Sequence, residues 1–435
     1  MEINQNRTPS RTVMRRVMFV VLLFGLVSCF GDVVYEGARS ANGQYFSLLG
    51  ASATMMGVLY GVGEFLGYAL RLVSGRICDA TGRHWPLIIA GYSSLVVVPF
   101  MGLTDNLYVL CTLFLIERIG KALRNPPKDA VLSQLSEKKI GTGMVFGIQE
   151  ALDQLGAFAG PLVFTFVFLK TGETTIAAYQ TGYTLLFAGV VLVVAAVIAA
   201  WRIVTHFHLV EEAAGAARPE DKPADIFGLY MAFTFFASAG LVAFSIIGFH
   251  LKSKGVIADG AITTLYAAAM VIDAVAALVI GRLYDIFKEH SGRKTAGLRT
   301  LFVIPVCSLG IPFLALSGDA WAAAAGMALY GIVLGTHETI MRSAIADLTV
   351  FRKRGTAYGI FNVVYGLGFL AGSSVMGLLY DILGAAGVAL CVIVLEAAAF
   401  VLFLRLNARA KSYRISQQRL RALRAPGARG SSHKN

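Results

Sequence analysis

Long apolar stretches recur along the whole chain and restrict it to one kind of environment. A run of about 20 apolar residues crosses the ~30 Å hydrocarbon core of a bilayer as a single helix. Soluble domains of 435 residues are not 56% hydrophobic and 15% charged, with a mean hydropathy of +0.67. The sequence therefore predicts an all-α integral membrane protein with twelve transmembrane helices, at 17–46, 53–74, 85–103, 107–124, 143–169, 179–201, 227–250, 261–280, 298–317, 321–345, 356–381 and 386–404.

Two segments of the chain repeat one another. Residues 143–160 align with residues 355–372 at a constant offset of 212, and a repeat nearly half the chain long indicates two copies of one six-helix module. Duplicated membrane modules are typical of secondary transporters. The identical pairs are Gly143/Gly355, Gly147/Gly359, Ile148/Ile360, Leu155/Leu367, Gly156/Gly368, Ala159/Ala371 and Gly160/Gly372.

Lys and Arg are divided unevenly between the two sides of the predicted bundle. With a cytoplasmic N-terminus, the tails and loops of that side carry 28 of the 38 Lys and Arg, and the outer loops carry three. The positive-inside rule favours this orientation, with both termini in the cytoplasm and the protein in a bacterial cytoplasmic (inner) membrane. A net charge of +12 spread over short loops does not form the compact basic surface of a nucleic-acid binder, so we expect no nucleic-acid partner.

The repeat and the charges divide the chain into four regions. We predict an N-terminal six-helix half at 1–201, a cytoplasmic linker at 202–226, a C-terminal six-helix half at 227–404 and a basic cytoplasmic tail at 405–435. The linker contains two prolines and charges of both signs. We expect the tail to be disordered and to lie against anionic lipid head groups.

The loop between the second and third helices carries a recognisable motif. Gly75, Asp79, Gly82 and Arg83 resemble the GxxxD(R)xGR(R/K) signature of the major facilitator superfamily, although Ala80 stands where that family usually has Arg. A small residue allows two helices to approach closely, and an Asp at a helix end can accept hydrogen bonds from exposed backbone N–H groups of a neighbouring helix. The motif is predicted to act in gating; otherwise it is an ordinary basic turn.

The resemblance implies a fold and a mechanism for the whole helical region. It implies two six-helix halves related by an axis along the membrane normal, with a central cavity lined mainly by helices 1, 4, 7 and 10. The substrate would bind between the halves, which rock so that the site faces one side at a time. Asp285 is a further predicted gating residue, because residues 281–285 repeat the pattern of residues 75–79. An Arg-x4-Asp spacing also repeats at the predicted cytoplasmic ends of helices 4 and 10, and it adds Arg124, Asp129, Arg342 and Asp347.

Helix 5 contains two glycines four residues apart, followed by a proline. Gly156, Gly160 and Pro161 resemble the core of the GxxxGP motif of proton-coupled exporters in the same superfamily, while small residues at this spacing equally form a flat packing face. The motif inclines the prediction towards export.

Charged residues in the hydrocarbon core point to a central site, because an ionisable group there costs several kcal/mol unless it faces a cavity or a partner. Arg118, Glu150, Asp153 and Asp273 lie near the predicted midplane. Glu150 and Asp153 share a helix face, and Arg118 could pair with either. Arg118 also resembles an arginine that related antiporters use to modulate proton release. Asp153, with Arg118 as its positive partner, is the predicted proton carrier, and Glu150 and Asp32 are the next candidates; a structural salt bridge is the alternative.

Polar side chains also follow one face of each of three other helices. Asp32 and Glu64 are predicted to line a wetted path towards the outer mouth, whereas Glu36 and Arg39 could form an exposed pair near the surface. In helix 10, His337 adds a titratable group beside a predicted i,i+4 ion pair of Glu338 with Arg342. The predicted substrate-cavity residues are Glu64, Asp273, His337 and Glu338.

The sequence favours a secondary active transporter that moves a small organic solute by alternating access. Proton-coupled export is one candidate, and uptake of a polar or anionic metabolite, favoured by Arg39, Arg118 and Lys121, is the other. A channel or a membrane enzyme is a remote alternative, because the chain shows no nucleophile–base pair and no carbonyl-filter sequence. The five cysteines have no metal-ligand spacing, so we expect no metal and no cofactor. The expected partners are a small-molecule substrate, protons and the bilayer, and we expect a monomer.

Overall fold

The chain folds into one helical bundle. The computed structural model describes residues 11–137, 142–172, 175–207, 209, 225–291, 294–348 and 354–424, and no strand occurs within these ranges. In chain order the crossings are α1 (Arg11–Leu48), α2 (Ala53–Thr81), α3 (His84–Leu103), α4 (Leu107–Glu137), α5 (Thr142–Thr171), α6 (Ile176–His206), α7 (Asp225–Gly240 and Phe244–Ser253), α8 (Asp259–Ser291), α9 (Lys294–Phe302 and Val303–Ala315), α10 (Ala320–Thr336, His337–Met341 and Arg342–Leu348), α11 (Arg354–Leu383) and α12 (Ala385–Arg424).

The described helices traverse the bundle twelve times, which confirms the predicted fold class. Eleven of them are long and apolar enough to span a membrane. The exception, α4, has the necessary length but carries a series of charges, among them Glu117, Arg118, Lys121 and Arg124. These charges lower its hydropathy because α4 faces the interior of the protein rather than lipid.

Helix α5 packs against α1 through the glycines of the repeated segment. A Cβ atom added to Gly156 would lie 2.1 Å from the Cys29 carbonyl oxygen, and one added to Gly160 would lie 2.6 Å from that of Val33. Since real Cβ contacts are never this short, only glycine permits the observed approach. The motif in helix 5 therefore forms a packing face.

The second half repeats this packing with equivalent residues. A Cβ atom on Gly368 of α11 would lie 2.4 Å from the Phe235 carbonyl oxygen of α7, and one on Gly372 would lie 1.9 Å from that of Ala239. The four glycines that match in the sequence repeat thus hold α5 on α1 and α11 on α7. The physical basis of the repeat is this pair of close helix contacts.

The ends of the halves differ somewhat from the predicted boundaries. Helix α6 continues to His206 and α7 begins at Asp225, so most of the predicted linker, residues 210–224, lies outside the described residues. Helix α12 continues to Arg424. The prediction of a disordered tail from residue 405 is therefore wrong as far as Arg424, and residues 425–435 are outside the description.

Successive helices cross the bundle in opposite directions, so their connections lie alternately at two ends. We call the end with the connections near residues 82–83, 138–141 and 349–353 the basic end, because most Lys and Arg lie there. The other, with the connections at 49–52 and 254–258, is the opposite end. The halves meet chiefly where α2 packs along α11 and where α5 packs along α8.

Candidate functional site

A cavity of about 1360 Å³ lies between the two halves. Its lining includes Gly75 and Arg76 of α2 and Arg342 of α10, which are close to the basic ends of their helices, so the cavity opens at the basic end. Helices α1, α4 and α10 line it as the family resemblance implied. Helix α7 contributes none of the described lining residues, whereas α2, α5, α8 and α11 do. The implied set of lining helices is corrected accordingly.

Hydrogen bonds between the halves close the molecule towards the opposite end. The Tyr266 hydroxyl donates to Glu36 Oε2 at 2.6 Å, and the hydroxyls of Thr165 and Thr263 are 2.8 Å apart. Tyr179 of α6 donates to Asp259 of α8. The predicted wetted path to the outer mouth is thus sealed in this conformation, and the cavity is reached from the basic end.

Arg118 is held by residues that the sequence did not single out as its partners. Its side chain is 2% exposed, and its Nη1 lies 3.0 Å from Glu64 Oε1. Glu117 Oε2 is 3.4 Å from Arg118 Nε, and Arg118 Nη1 also donates to the Tyr35 hydroxyl. The predicted pairing of Arg118 with Glu150 or Asp153 is therefore wrong in this conformation. The i,i+3 argument compared residues along one helix, whereas the partner Glu64 approaches from α2.

Glu36 and Arg39 belong to the same buried network. Arg39 lies 3.5 Å from Glu36 and 3.9 Å from Glu64, so Glu64 bridges two arginines. The alternative of an exposed pair near the surface is wrong, since Glu36 is 8% exposed. No pattern in the sequence indicated that Tyr266 of α8 would cover Glu36.

Two carboxylates on α1 and α5 lie beside two lysines of α4. Asp32 and Asp153 both line the cavity, and their charges act on each other. Lys121 acts on Asp32, and Lys128 acts on both carboxylates. Lys128 is positioned by Ser28, whose hydroxyl accepts its Nζ proton at 3.0 Å. Asp153, the predicted proton carrier, and Asp32, one of the next candidates, thus lie on the neighbouring helices α5 and α1. Their neighbouring cations are lysines of α4 rather than Arg118.

A second group of carboxylates spans the two halves. Glu150 of α5, Asp273 of α8 and Glu338 of α10 line the cavity and interact electrostatically. None of the three has a Lys or Arg within 4 Å among the ion pairs of the described residues. The sequence placed Glu150 and Asp273 near the membrane centre, and in the structure all three residues line the same cavity.

The predicted ion pair of Glu338 with Arg342 is wrong. A π-helical turn at His337–Met341 inserts between the two α-helical parts of α10 and changes the angle between residues four apart. Both side chains still line the cavity. His337 instead turns away from it: the ring is buried, and its Nδ1 lies 3.0 Å from the Tyr365 hydroxyl of α11. His337 is therefore a packing residue of the C-terminal half in this conformation.

The gating motif lies at the basic end. Gly75 faces α4, where an added Cβ would lie 3.8 Å from Pro126, and Gly82 ends α2 with φ of 67°. Arg83 and the echo residue Asp285 are exposed. The side chain of Asp79 lies outside the described part of the structure, so its predicted role remains a prediction.

The charges of α4 and α10 near the basic end pair within their own halves. Arg124 lies 3.8 Å from Glu117 and donates to the Gly91 carbonyl oxygen at 3.2 Å. Asp347 lies 2.7 Å from Lys288 and accepts from Tyr284. Arg342 and Asp129 interact across the halves without an ion pair within 4 Å among the described residues. A latch between the halves is thus open at this end.

The corresponding contact at the opposite end is formed, and the sequence interpretation missed it. The Asp381 carboxylate of α11 accepts from the backbone N–H groups of Ala53 at 3.0 Å and Thr54 at 2.8 Å, at the start of α2. An added Cβ on Gly377 would lie 2.4 Å from the Ala53 carbonyl oxygen. We call this contact the Asp381 cap. The available signal was the Gly-x3-Asp spacing of 377–381, which matches Gly75–Asp79 and Gly281–Asp285.

The described residues contain no group of three or more His, Cys, Asp and Glu side chains that could hold a metal ion. The site is instead a charged, water-accessible cavity between two pseudo-equivalent halves. An arrangement of this kind binds a solute and can release it to the side on which it is open.

Comparisons with known proteins agree with this architecture. The sequence profile of the Major Facilitator Superfamily matches residues 21–368 and 226–430. The chain belongs to this superfamily of membrane transporters. It is 37% identical over 369 residues to an uncharacterized protein of Mycobacterium tuberculosis, covering 83% of this chain and 87% of the relative.

Two more distant proteins also resemble this chain over most of its length. An uncharacterized MFS-type transporter of Methanocaldococcus jannaschii is 24% identical over 380 residues, covering 83% of this chain and 88% of that protein. The crystal structure of the nucleoside transporter NupG superposes with a TM-score of 0.64 at 14% identity, covering 89% of this chain and 98% of NupG. At this identity the superposition establishes the fold and nothing about the substrate.

Proposed function

We propose that this transporter moves a small organic solute by alternating access and that protons drive export. The observation that carries the proposal is a large cavity that is open at the basic end and closed at the opposite end by contacts between the halves. A carrier must close one side while the other is open, and the paired Gly-x3-Asp segments at the two ends provide equivalent contacts for both states.

The basic end is proposed to face the cytoplasm. The 28-to-3 distribution of Lys and Arg supports this orientation, with both termini inside and the protein in the cytoplasmic membrane. In that orientation the structure is inward-open, ready to load a solute from the cytoplasm.

Proton coupling is proposed to use Asp153, with Asp32 and Glu150 as the other candidates. A carboxylate in a low-dielectric cavity binds a proton more readily than in water, and a nearby cation opposes this. Asp153 lines the cavity together with Asp32 of α1 and Lys128 of α4. When the halves rock, the cavity around these residues opens first to one side and then to the other, so a proton can be taken up on one side and released on the other.

Substitution of Asp153 tests the coupling. Asp153→Asn in proteoliposomes should abolish accumulation driven by a pH gradient while substrate exchange continues, because the amide keeps the shape of the side chain and loses its titration. The exposed Asp105→Asn is the matched control and should accumulate like the wild type. Accumulation by Asp153→Asn at the wild-type level would show that Asp153 is a structural residue.

Uptake of an anionic metabolite is the second candidate. Arg39 and Arg118, two of the three cations that favoured it in the sequence, are neutralised by Glu36, Glu64 and Glu117. Lys121 still faces the cavity. A pH-gradient assay in both orientations separates uptake from export.

A further inference from the structure

The carboxylates in and beside the cavity differ in how their charge is balanced. Glu64, which was predicted to line the cavity, is not among its described lining residues. Glu64 bridges Arg118 and Arg39, and Glu36 is bound by Arg39 and Tyr266. Asp32 and Asp153 lie beside lysines of α4. Glu150, Asp273 and Glu338 have no such partner, and we call them the carboxylate triad.

Asp273 is the most isolated member of the carboxylate triad. It is 3% exposed, and its Oδ1 lies against Gly335 of α10 without a hydrogen-bond partner among the described residues. The side chain of Gln154, which is neutral, hydrogen-bonds to the carboxylate and leaves its charge unbalanced. The charged groups that act on it are Glu338, Glu150 and Glu36, all of them acidic. An isolated buried carboxylate is costly, so natural proteins normally provide a counter-charge. Here the chain does not provide one.

The other two members leave room for a positive group. Glu150 and Glu338 are exposed to the cavity, and Glu150 accepts a hydrogen bond only from Gln154, at 3.2 Å. Arg342 and Lys121 are the cations that act on Glu338, but neither forms an ion pair with it within 4 Å among the described residues. Since Glu150 belongs to one half and Asp273 with Glu338 to the other, a cation bound among them would hold the halves together.

Apolar side chains lie on the same helix faces. Met270 precedes Asp273 by three residues on α8, and Leu334 precedes Glu338 by four on α10; both line the cavity. Ala157 of α5 completes this apolar surface. A ligand with a positive group and a compact apolar body would satisfy both kinds of neighbour.

We propose that the carboxylate triad binds the positive group of the transported solute and that the solute is an organic cation such as a protonated amine with an apolar body. This proposal rests on the proposed transport function, because it assigns the substrate class of the same cavity. It differs from the anionic-metabolite candidate in the sign of the substrate charge.

Three matched probes test the sign of the charge. Phenethylammonium, N-phenethylacetamide and 3-phenylpropanoate share one ring and a similar length and carry positive, zero and negative charge. In thermal-unfolding experiments on the detergent-purified full chain, phenethylammonium should raise the unfolding temperature at millimolar concentration, because a ligand of the folded state stabilises it. The other two compounds should not. An equal shift with the neutral or anionic probe, or no shift with the cation, overturns the proposal.

Variants locate the binding site. Asp273→Asn should weaken phenethylammonium binding about thirtyfold or more, as is usual when one partner of a buried charge pair is removed. Glu289→Gln, which alters an exposed carboxylate that lies 3.9 Å from Arg282, is the matched control and should bind normally. Should Asp273→Asn fail to fold, Glu338→Gln serves instead. Unchanged affinity in the triad variant that folds contradicts the assignment, as does equal stabilisation by sodium chloride alone, which would indicate a metal cation.

Transport is measured separately, so the two proposals can fail independently. Binding of phenethylammonium that depends on Asp273, without exchange of labelled for unlabelled probe in proteoliposomes, would retain the site and reject the carrier mechanism for that cation. Exchange of the anionic probe in the absence of cation binding would retain the carrier and reject the carboxylate triad as its substrate site.

Discussion

Removing the Asp381 cap should shift the protein towards the state that is open at the opposite end. The cap consists of two hydrogen bonds from α2 backbone N–H groups to one carboxylate of the other half. Hydrogen bonds to charged groups contribute about 1.5–3 kcal/mol each when buried. Because Asp381 is exposed, solvent screening reduces the pair to about 2 kcal/mol in total.

The size of the shift follows from this free energy. Asp381→Ala should change the ratio of the two conformations by about thirtyfold, since ~1.4 kcal/mol corresponds to a factor of ten. Asp381→Asn, which keeps one acceptor oxygen, should change it by about fivefold, or ~1 kcal/mol. The neighbouring exposed residue Ile382 provides a control, because Ile382→Ala changes the same helix end without removing an acceptor.

Cysteine accessibility measures the shift. A cysteine introduced at Thr165, at the seam of α5 and α8, should react faster with a membrane-impermeant reagent added from the opposite end when Asp381 is replaced. The reasoning is refuted if Asp381→Ala leaves this reaction rate unchanged while Ile382→Ala and wild type agree, because the cap would then contribute nothing to closure.

Four other changes have expected outcomes. Asp79→Asn should favour the inward-facing state, seen as faster cytoplasmic labelling of the cavity; unchanged labelling and transport would make the motif an ordinary turn. A reporter enzyme that works only in the cytoplasm should be active when it is fused after Asn435. Activity of a reporter that works only outside the cell would contradict the predicted cytoplasmic C-terminus. Gly160→Ala should lower the yield of folded protein because its Cβ would meet a carbonyl oxygen, whereas Gly228→Ala, with nothing within 4 Å, should not; equal yields would contradict the packing account. Glu396→Met should raise thermal stability by about 1 kcal/mol, because both oxygens of this fully buried carboxylate lack partners among the described residues; a loss of stability would show that the acid is hydrogen-bonded.

The fold could be predicted from the sequence because the features that define it involve residues close together in the chain and occur in both halves. Runs of apolar residues defined each crossing, and the matching glycines at positions 156 and 368 identified the two halves. Their spacing also predicted a packing face, and the short contacts with α1 and α7 agree with it. These features depend on residues close together in the chain.

Partners between helices could not be predicted in the same way. The order of the helices suggested Glu150 or Asp153 as the partner of Arg118, because helix 5 follows helix 4. The i,i+4 rule suggested Glu338 as the partner of Arg342. Which helices face each other decides that Arg118 meets Glu64 instead. The π-helical turn in α10 has no sequence signature that would have separated Glu338 from Arg342.

The Asp381 cap could have been predicted from the sequence, although it was missed. Its Gly-x3-Asp spacing was visible at 377–381, yet the same spacing near residue 75 drew attention because a known motif surrounds it. The physical argument for the motif, a glycine for close approach and an aspartate for exposed N–H groups, applies directly to Gly377 and Asp381. Applying the same argument to residues 377–381 would have predicted the Asp381 cap.

Distances across the two ends test alternating access most directly. Spin labels at Arg83 and Asp285, both exposed at the basic end, report one opening, and labels at Tyr108 and Ile382, exposed at the opposite end, report the other. The account predicts two populations whose distances change in opposite directions: when the first pair is far apart the second is close, and replacement of Asp381 increases the reverse arrangement. Both ends open in the same population, or distances that never change with ligand, pH or the Asp381 variants, would contradict a carrier that exposes its cavity to one side at a time.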